Sequence, residues 1–504
     1  LTDSAQTDSA RRVAAVVVLA AGAGTRMKSS RSKLLHEVAG RSMLSYAVSA
    51  AEALDPEHLV VVVGHQREQV ESHLQEIAPE VRTAVQDQQN GTGHAVACGL
   101  TGLESLTGEV VVTYGDVPLL AGETLADLVA AHRAAGAAAS VLTAELADAG
   151  SYGRIVRDAN GEFERIVEAK DADPDQLAIT EINSGIYVFD AEVLRDGLGR
   201  LTTGNAQGEL YLTDVLGIAR GDGRSIGTVT IEDLWQTEGV NDRVQLAAMN
   251  AEMNRRICER WMRAGVTIID PASTWIHSGV DLARDVTLLP GTSLEGATSV
   301  GEGATIGPDT TLRDVEVGAG ATVVRCQGEL AVIGENATVG PFAFLRPGTQ
   351  LGAGGKVGTF VETKNTTIGE GAKVPHLCYA GDAVIDAGAN IGAGTIFANY
   401  DGEKKWHTHV GERAFVGSNS VLVSPVDIGP GAFVAAGSGI TDNVPPGALA
   451  VARGRQHNSQ GWVQRRKPDS KQARAAAAAE AYQPDEQVTA DQQVQRDQGK
   501  EQRQ

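Results

Sequence analysis

The segment Leu19-Ala20-Ala21-Gly22-Ala23-Gly24-Thr25-Arg26-Met27 sets two glycines directly after a run of apolar, β-branched residues, and Lys33 follows shortly. Glycines let backbone N–H groups close on phosphate oxygens, while Arg and Lys supply the countercharge. The spacing fits neither the dinucleotide fingerprint nor a Walker loop. A tight strand-to-helix turn would use the same glycines. Tyr114-Gly115-Asp116 ends a second apolar run. A carboxylate there suits Mg²⁺ beside phosphates, since this ion keeps water and phosphate among its ligands. A turn or helix-capping aspartate is the plainer reading. Far along the chain, His376 lies in Lys373-Val374-Pro375-His376-Leu377-Cys378-Tyr379. An imidazole near its ordinary pKa suits taking a proton from an amine that attacks a thioester; a surface-loop histidine is the alternative. Cys378 would point the same way along an extended segment. Acyl transfer to an amine needs no covalent enzyme intermediate, however, so Cys378 reads as a packing residue. His36, His65 and His94 read as packing or turn residues.

These groups need elements to hold them. Short apolar runs at Ala14–Leu19, Leu59–Val63, Val110–Thr113 and Ser140–Ala144 alternate with helical stretches such as Met43–Leu54 and Thr124–Ala134. That rhythm predicts a Rossmann-like α/β domain with a parallel sheet covered on both faces, its ligands at the carboxyl ends of strands. Leu246, Met249, Met253, Ile257 and Trp261 recur at helical spacing and predict a connecting helix over 244–264. Beyond it Leu288, Leu294, Val300, Ile306 and Leu312 keep a six-residue period. It recurs in Ile333, Val339, Leu345, Leu351 and Val357, and again in Val410, Val416, Leu422, Ile428, Val434 and Ile440. Such a period predicts a parallel β-helix of three repeats per coil, with aliphatics stacked inside and Gly at corners of positive φ. Glu362–His409 breaks the period and reads as a protruding functional loop. The divisions are a flexible 1–12, a nucleotide domain over 13–243, the linker helix, a β-helix over 265–463 and a tail over 464–504. The tail, Ala-rich and then Gln- and acid-rich, is expected to be disordered with room for a short helix.

At 504 residues the chain is long for a single core. A formal net charge of −21 argues against general binding to nucleic acid or an anionic membrane surface. Cys98, Cys258, Cys326 and Cys378 are scattered without a CxxC pair, as in a reduced protein, and no apolar run has transmembrane length. A cytoplasmic protein is expected.

Read together, the motifs resemble the sugar nucleotidyltransferases, and most closely the bifunctional enzymes that make UDP-N-acetylglucosamine. The pattern L-x-x-G-x-G-T-R-M is complete at Leu19–Met27. Further blocks follow in order: Gln86 with Gly91-Thr92-Gly93-His94-Ala95, Tyr114–Pro118, Tyr152-Gly153-Arg154, Ile166-Val167-Glu168, Glu181–Gly185, Asn205–Glu209 and Gly239-Val240-Asn241. The second half resembles the hexapeptide acyltransferases, which use a left-handed parallel β-helix. Its blocks are Gly340-Pro341-Phe342, Leu345–Gly348, Phe360–Lys364, His376, Tyr379, Asn390–Thr395, Asn399–Gly402 and Val416-Gly417-Ser418. The likeness runs from about residue 14 to residue 463.

The resemblance implies two reactions: acetylation of glucosamine 1-phosphate by acetyl-CoA, then UMP transfer from UTP to N-acetylglucosamine 1-phosphate. It implies that Leu19, Ala20, Ala21, Gly22, Gln86, Gly91 and Thr92 hold the uracil, within a UTP site that also includes Tyr114 and Gly115. Gly153, Glu168 and Asn183 would hold the sugar. Asp116 and Asn241 would ligate Mg²⁺, and Arg26 and Lys33 would face the triphosphate. His376 would be the base. Arg346, Lys364, Tyr379 and Asn390 would bind glucosamine 1-phosphate. Ala393, Asn399, Tyr400, Ser418, Ala436 and Arg453 would contact acetyl-CoA or the reacting thioester. A homotrimer with its acetyltransferase site between solenoids is also implied. Three places depart from the pattern: Ser32 stands where a Pro usually precedes the lysine, Asp242 follows Asn241 in place of a second Asn, and the pair Asn419-Ser420 replaces Asp-Thr. Two other readings stay open here: nucleotidyl transfer alone on an oligomerising solenoid, and a solenoid that is purely a binding scaffold.

Overall fold

The computed structural model describes residues 12–481. Its first strand, Ala15–Ala20, lies between His58–Val63 and Glu109–Tyr114 and is parallel to both. Its side chains alternate between two cores. Val16, Val18 and Ala20 pack on one face, and Ala15, Val17 and Leu19 on the other. All six are nearly free of solvent, which is why the run reads as continuously apolar rather than alternating. The sheet is not wholly parallel, as the sequence rhythm had led us to expect. Glu181–Asp190 runs antiparallel to both Glu109–Tyr114 and Ala139–Glu145. That strand follows an excursion through the hairpin Arg154–Arg157 and Phe163–Val167 instead of a crossover helix. From the first strand the chain turns to one side for His58–Val63 and Arg82–Val85, then returns to the other side for Glu109–Tyr114. The crevice at the carboxyl ends of Ala15–Ala20 and Glu109–Tyr114 is therefore a topological switch point.

The linker forms as a helix over Arg243–Arg263. The Asp242 side chain caps it, accepting from the Val244 and Gln245 N–H groups at 2.9 Å each. This gives the residue following Asn241 a local role.

The solenoid runs from the strand Thr267–Ile268 to Leu449–Ala450, with successive coils pairing in parallel. Leu288 stacks on Ile306 and Leu294 on Leu312, and all four are fully buried. The glycine that follows many inner aliphatics serves closeness rather than positive φ. A Cβ on Gly334 would sit 2.7 Å from the Ala353 nitrogen of the next coil. Positive φ follows an inner aliphatic at Gly307 (103°) and Gly340 (101°) but falls mostly at other positions, where Asn and Asp share it with Gly, as at Asp309 (48°), Asn336 (55°) and Asn419 (55°).

Glu362–His409 is not one protruding loop. Strands at Glu362–Ile368, Lys373–His376, Tyr379–Ile385, Asn390–Ile391, Ile396–Ala398 and Thr408–Val410 continue the coil. Only the short span 399–407 leaves it. The described part of the tail carries the short helix it was expected to have room for, with another before it. Trp462–Arg466 and Lys471–Ala481 are helices, the second containing the alanine run that favours one. The rest of that expectation, and residues 1–11, lie outside the described residues. The chain divides into a compact unit up to Ala450 and a second from Val451, which carries these two helices and Arg453.

Candidate functional site

At the switch point lies a cleft of about 300 Å³ lined by Leu19, Ala20, Ala21, Gly22, Lys33, Gln86, Gly91, Thr92, Tyr114 and Asp116. Ten residues singled out from the sequence thus share one wall. Leu34, Gln89, Ala95 and Glu209 complete it. Gln86 is buried and fixed, its amide donating to the Gly91 carbonyl (3.1 Å) and lying 3.2 Å from His94 Nδ1. His94 is accordingly a packing partner of the site. Gln89, which the sequence reading missed, donates to the Ala21 carbonyl at 2.8 Å.

Lys33 Nζ reaches across the cleft to Asp116 Oδ2 (2.5 Å) and Asn241 Oδ1 (3.2 Å). The Val240 N–H donates to the Asp116 carbonyl, bringing the Asn241 loop to this strand end. Two hard oxygen donors from distant segments therefore converge on one cationic point, the donor chemistry that Mg²⁺ takes when phosphates supply its remaining ligands. No cluster of three or more His, Cys, Asp or Glu suited to a metal occurs among the described residues. Arg26 is exposed on the turn Thr25–Met27.

The segment before Lys33 is clamped. Ser32 is buried, and its φ of −54° is one a proline ring would adopt. Its N–H donates to Gln69 Oε1 at 2.9 Å, while the side chains of Gln66 and Gln69 donate to the Ser30 carbonyl at 3.0 Å each. Two glutamines thus do by hydrogen bonding what a proline does covalently.

Deeper in, Gly153, Glu168 and Asn183 meet. A Cβ on Gly153 would stand 3.5 Å from both Asn183 Cβ and Glu168 Oε2. Burial raises the Glu168 carboxyl above its usual range, against a hydrogen bond from Thr213 (3.4 Å). Asn183 Oδ1 accepts from the Tyr187 hydroxyl and the Gly185 N–H, both at 3.0 Å. Gly185 has φ 84°, and a Cβ there would stand 2.5 Å from the Tyr114 ring. Only glycine lets that ring lie between the cleft and this cluster. Burial, then the charges of Glu168 and Asp116, pushes the Tyr114 phenol well above its ordinary range.

On the solenoid, His376, Ala393, Ser418 and Ala436 occupy one corner of successive coils. Gly394 N donates to His376 O, Asn419 N to Ala393 O and Gly437 N to Ser418 O, at 2.7–3.0 Å. Asn419 is thus a corner residue of that ladder. His376 and Ser418 are exposed, Cys378 buried. The Cys378 thiol is raised by burial and donates to the His376 carbonyl at 2.9 Å, as a packing residue would.

A second cluster gathers Arg346, Lys364, Tyr379 and Asn399. Arg346 pairs with Glu362 at 2.7 Å. Lys364 is lowered from its usual pKa, first by its hydrogen bond with Lys405 and then by the charges of Lys405 and Arg346. Three cations crowded together make a ready phosphate site. Lys405 was missed, although it follows the Asn399–Gly402 block closely. The hairpin that presents it is tied by Asp401, which accepts from Glu403 N, Lys404 N and Trp406 Nε1 at 2.6–2.8 Å and is held down to about 2. Tyr400 lies exposed on that hairpin. Asn390 begins the short strand Asn390–Ile391. Among the described residues, no side-chain hydrogen bond joins the His376 corner to this cationic cluster.

Residues 16–162 match the MobA-like NTP transferase domain, and residues 407–442 the bacterial transferase hexapeptide family of six repeats. The bifunctional protein GlmU of Corynebacterium efficiens is 54% identical over 92% of this chain and 97% of its own length. Its namesakes from Streptomyces avermitilis and Mycolicibacterium vanbaalenii are 56% and 58% identical, over 94% and 91% of this chain and 98% and 94% of theirs. The chain belongs to the GlmU family. It is a bifunctional transferase of UDP-N-acetylglucosamine and peptidoglycan synthesis, an acetyltransferase and a uridylyltransferase in one chain. The two GlmU activities match its two architectures, the nucleotidyltransferase sheet and the hexapeptide solenoid.

Proposed function

We propose that the switch-point cleft performs uridylyl transfer and the outer surface of the solenoid performs acetyl transfer. The observation that carries the first half is the convergence of Lys33, Asp116 and Asn241 beside the glycine loop. A phosphate oxygen of N-acetylglucosamine 1-phosphate attacks the α-phosphorus of UTP in line, and pyrophosphate leaves. Such transfer needs positioning and charge neutralisation more than a strong base. Gln86, Gly91 and Thr92 seat the base beside Leu19–Gly22, with Gly115 at the end of the facing strand. Gly153, Glu168 and Asn183 seat the sugar, and Lys33 and Arg26 balance the phosphates. Asp116 and Asn241 would hold Mg²⁺, which when bound supplies further charge neutralisation at the phosphates.

In the solenoid, the phosphate of glucosamine 1-phosphate lies on Arg346, Lys364 and Lys405, with Tyr379 and Asn390 at the sugar. His376 takes the proton from the amine as its nitrogen bonds to the thioester carbonyl carbon. The carbon–sulfur bond then breaks, with Ser418 placed to donate to the departing sulfur. Ala393, Asn399, Tyr400 and Ala436 contact the acetyl-CoA. We further read the active form as a homotrimer. Two exposed aromatic pairs stack between neighbouring coils, Phe342 on Phe360 (5.3 Å) and Phe415 on Phe433 (4.5 Å), and large exposed apolar groups of this kind suit an interface. A second solenoid at that surface would supply the wall that a filled β-helix lacks. The domain divisions at 13–243, 244–264 and 265–463 and a cytoplasmic location belong to the same reading, the latter on four unpaired cysteines. Thiol release from acetyl-CoA with glucosamine 1-phosphate, followed by pyrophosphate release on adding UTP, tests it. Pyrophosphate release without thiol release would favour a solenoid that only assembles the enzyme.

A further inference from the structure

Three consecutive coils place an amide, a carboxylate and an amide at one corner. Lys364 pairs with Gly381 and Tyr379 with Ile396, so Asn365, Asp382 and Asn399 fall in one column. Asp382 and Asn399 are buried, 6% and 5% exposed. Asp382 Oδ1 accepts from Asn365 Nδ2 at 2.8 Å, and Oδ2 from Asn399 Nδ2 at 2.6 Å. The second proton of that Asn399 nitrogen faces the Tyr379 hydroxyl at 3.4 Å. Both donors of the amide are therefore used, while among the described residues its Oδ1 has no hydrogen-bond partner. Gly381 makes the arrangement possible, since a Cβ there would stand 2.8 Å from Asn399 Nδ2 and closer still to the Tyr379 hydroxyl.

A carboxylate can only accept, whereas an amide can be turned either way. Unconstrained, Asn399 could offer the reacting groups its NH₂ or its oxygen. We propose that Asp382 is a positioning residue of the acetyltransferase site, locking Asn399 with its nitrogen inward and its Oδ1 toward the substrate amine. In that orientation Asn399 accepts an N–H of glucosamine 1-phosphate and aims the nitrogen lone pair at the thioester, and it is not a donor to the developing oxyanion. The inference rests on the reading of Asn399 as a residue of that site.

Asp382→Asn is the decisive change. Its oxygen would still accept from Asn365, so its own NH₂ would face Asn399 and turn that amide over. In the full-length protein, acetyl transfer read by thiol release should fall roughly tenfold or more in kcat, the loss expected for one charge-assisted hydrogen bond. KM for both substrates should stay within about threefold, and melting temperature and uridylyl transfer should hold. In an Asn399→Ala background the same substitution should cost nothing further, because there is no amide left to orient. Should Asp382→Asn not fold, Asn365→Ala loosens the same carboxylate and should give a smaller fall, also erased by Asn399→Ala. An unchanged kcat, or an equal fall in the Asn399→Ala background, would overturn the inference and leave Asn399's role intact. Full acetyl transfer by Asn399→Ala alone would instead remove the reading beneath it.

Discussion

Lys33 Nζ stands 2.5 Å from Asp116 Oδ2, a contact that spans the cleft from the glycine-loop side to the neighbouring strand end. The pair couples the group that balances phosphate charge to the group that would hold the metal. Asp116→Ala should therefore reduce Mg²⁺-dependent pyrophosphate release from UTP to below about a tenth of the parent rate. Acetyl transfer should be nearly unchanged, since the solenoid has a core of its own. Titrating Mg²⁺ in the pyrophosphate assay checks both points.

Gln69 lies outside the cleft, yet it holds Ser32 and thereby the approach of Lys33. Gln69→Ala should lower uridylyl transfer several-fold, within the range expected for one or two neutral hydrogen bonds, about 1 kcal/mol each. Adding Ser32→Pro should restore part of the loss. The ring imposes nearly the φ already present and no longer needs the Gln69 acceptor. The parent carrying Ser32→Pro alone is the control, and a double variant no better than Gln69→Ala would contradict the clamp.

His376→Ala should cost acetyl transfer on the order of a hundredfold or more and leave uridylyl transfer from supplied N-acetylglucosamine 1-phosphate intact. Cys378→Ser should stay active. With its thiol buried and raised above the usual cysteine range, Cys378 should also resist iodoacetamide near neutral pH in the folded protein. Mass mapping of alkylated peptides decides this, and rapid loss of acetyl transfer on alkylation at Cys378 would contradict it.

Lys364 titrates below its ordinary range because Lys405 and Arg346 crowd it. A lysine lowered in the folded state holds fewer protons than in the unfolded chain across that window, so its destabilising repulsion is greatest below the folded value and fades as pH rises through it. A bound phosphate reverses the sign by favouring the ammonium. Glucosamine 1-phosphate binding should take up protons at alkaline pH, detectable by calorimetry in buffers of different ionisation enthalpy. Lys405→Ala should abolish most of that uptake and raise KM for the sugar phosphate.

The solenoid could be read from sequence because its inner aliphatics repeat without exception over long stretches, Leu288 to Leu312 among them. The reading failed across Glu362–His409 because the spacing of the inward positions changes there. Thr363 to Ile368 and Ala380 to Ile385 are shortened steps that break the six-residue frame, and Thr363 and Ala380 are not large aliphatics. Between Phe397 and Val410 the chain leaves the coil altogether, so the frame resumes out of step. The cleft residues Leu19 to Gly22, Gln86 and Asp116 were visible as strand-end motifs. Gln69 and Asp382 were not, since their partners come from other turns of the chain and no local spacing marks them.

Two separable sites in one chain are the account's central claim, and complementation of two dead variants tests it most directly. Asp116→Ala and His376→Ala are each supplied with glucosamine 1-phosphate, acetyl-CoA, UTP and Mg²⁺, and UDP-N-acetylglucosamine is measured. Each variant alone should form almost none, the first halting after thiol release and the second before it. Their mixture should recover a substantial part of the parent rate, because N-acetylglucosamine 1-phosphate made by one is consumed by the other. A mixture as inactive as its components, or either substitution removing both half-reactions, would contradict the account.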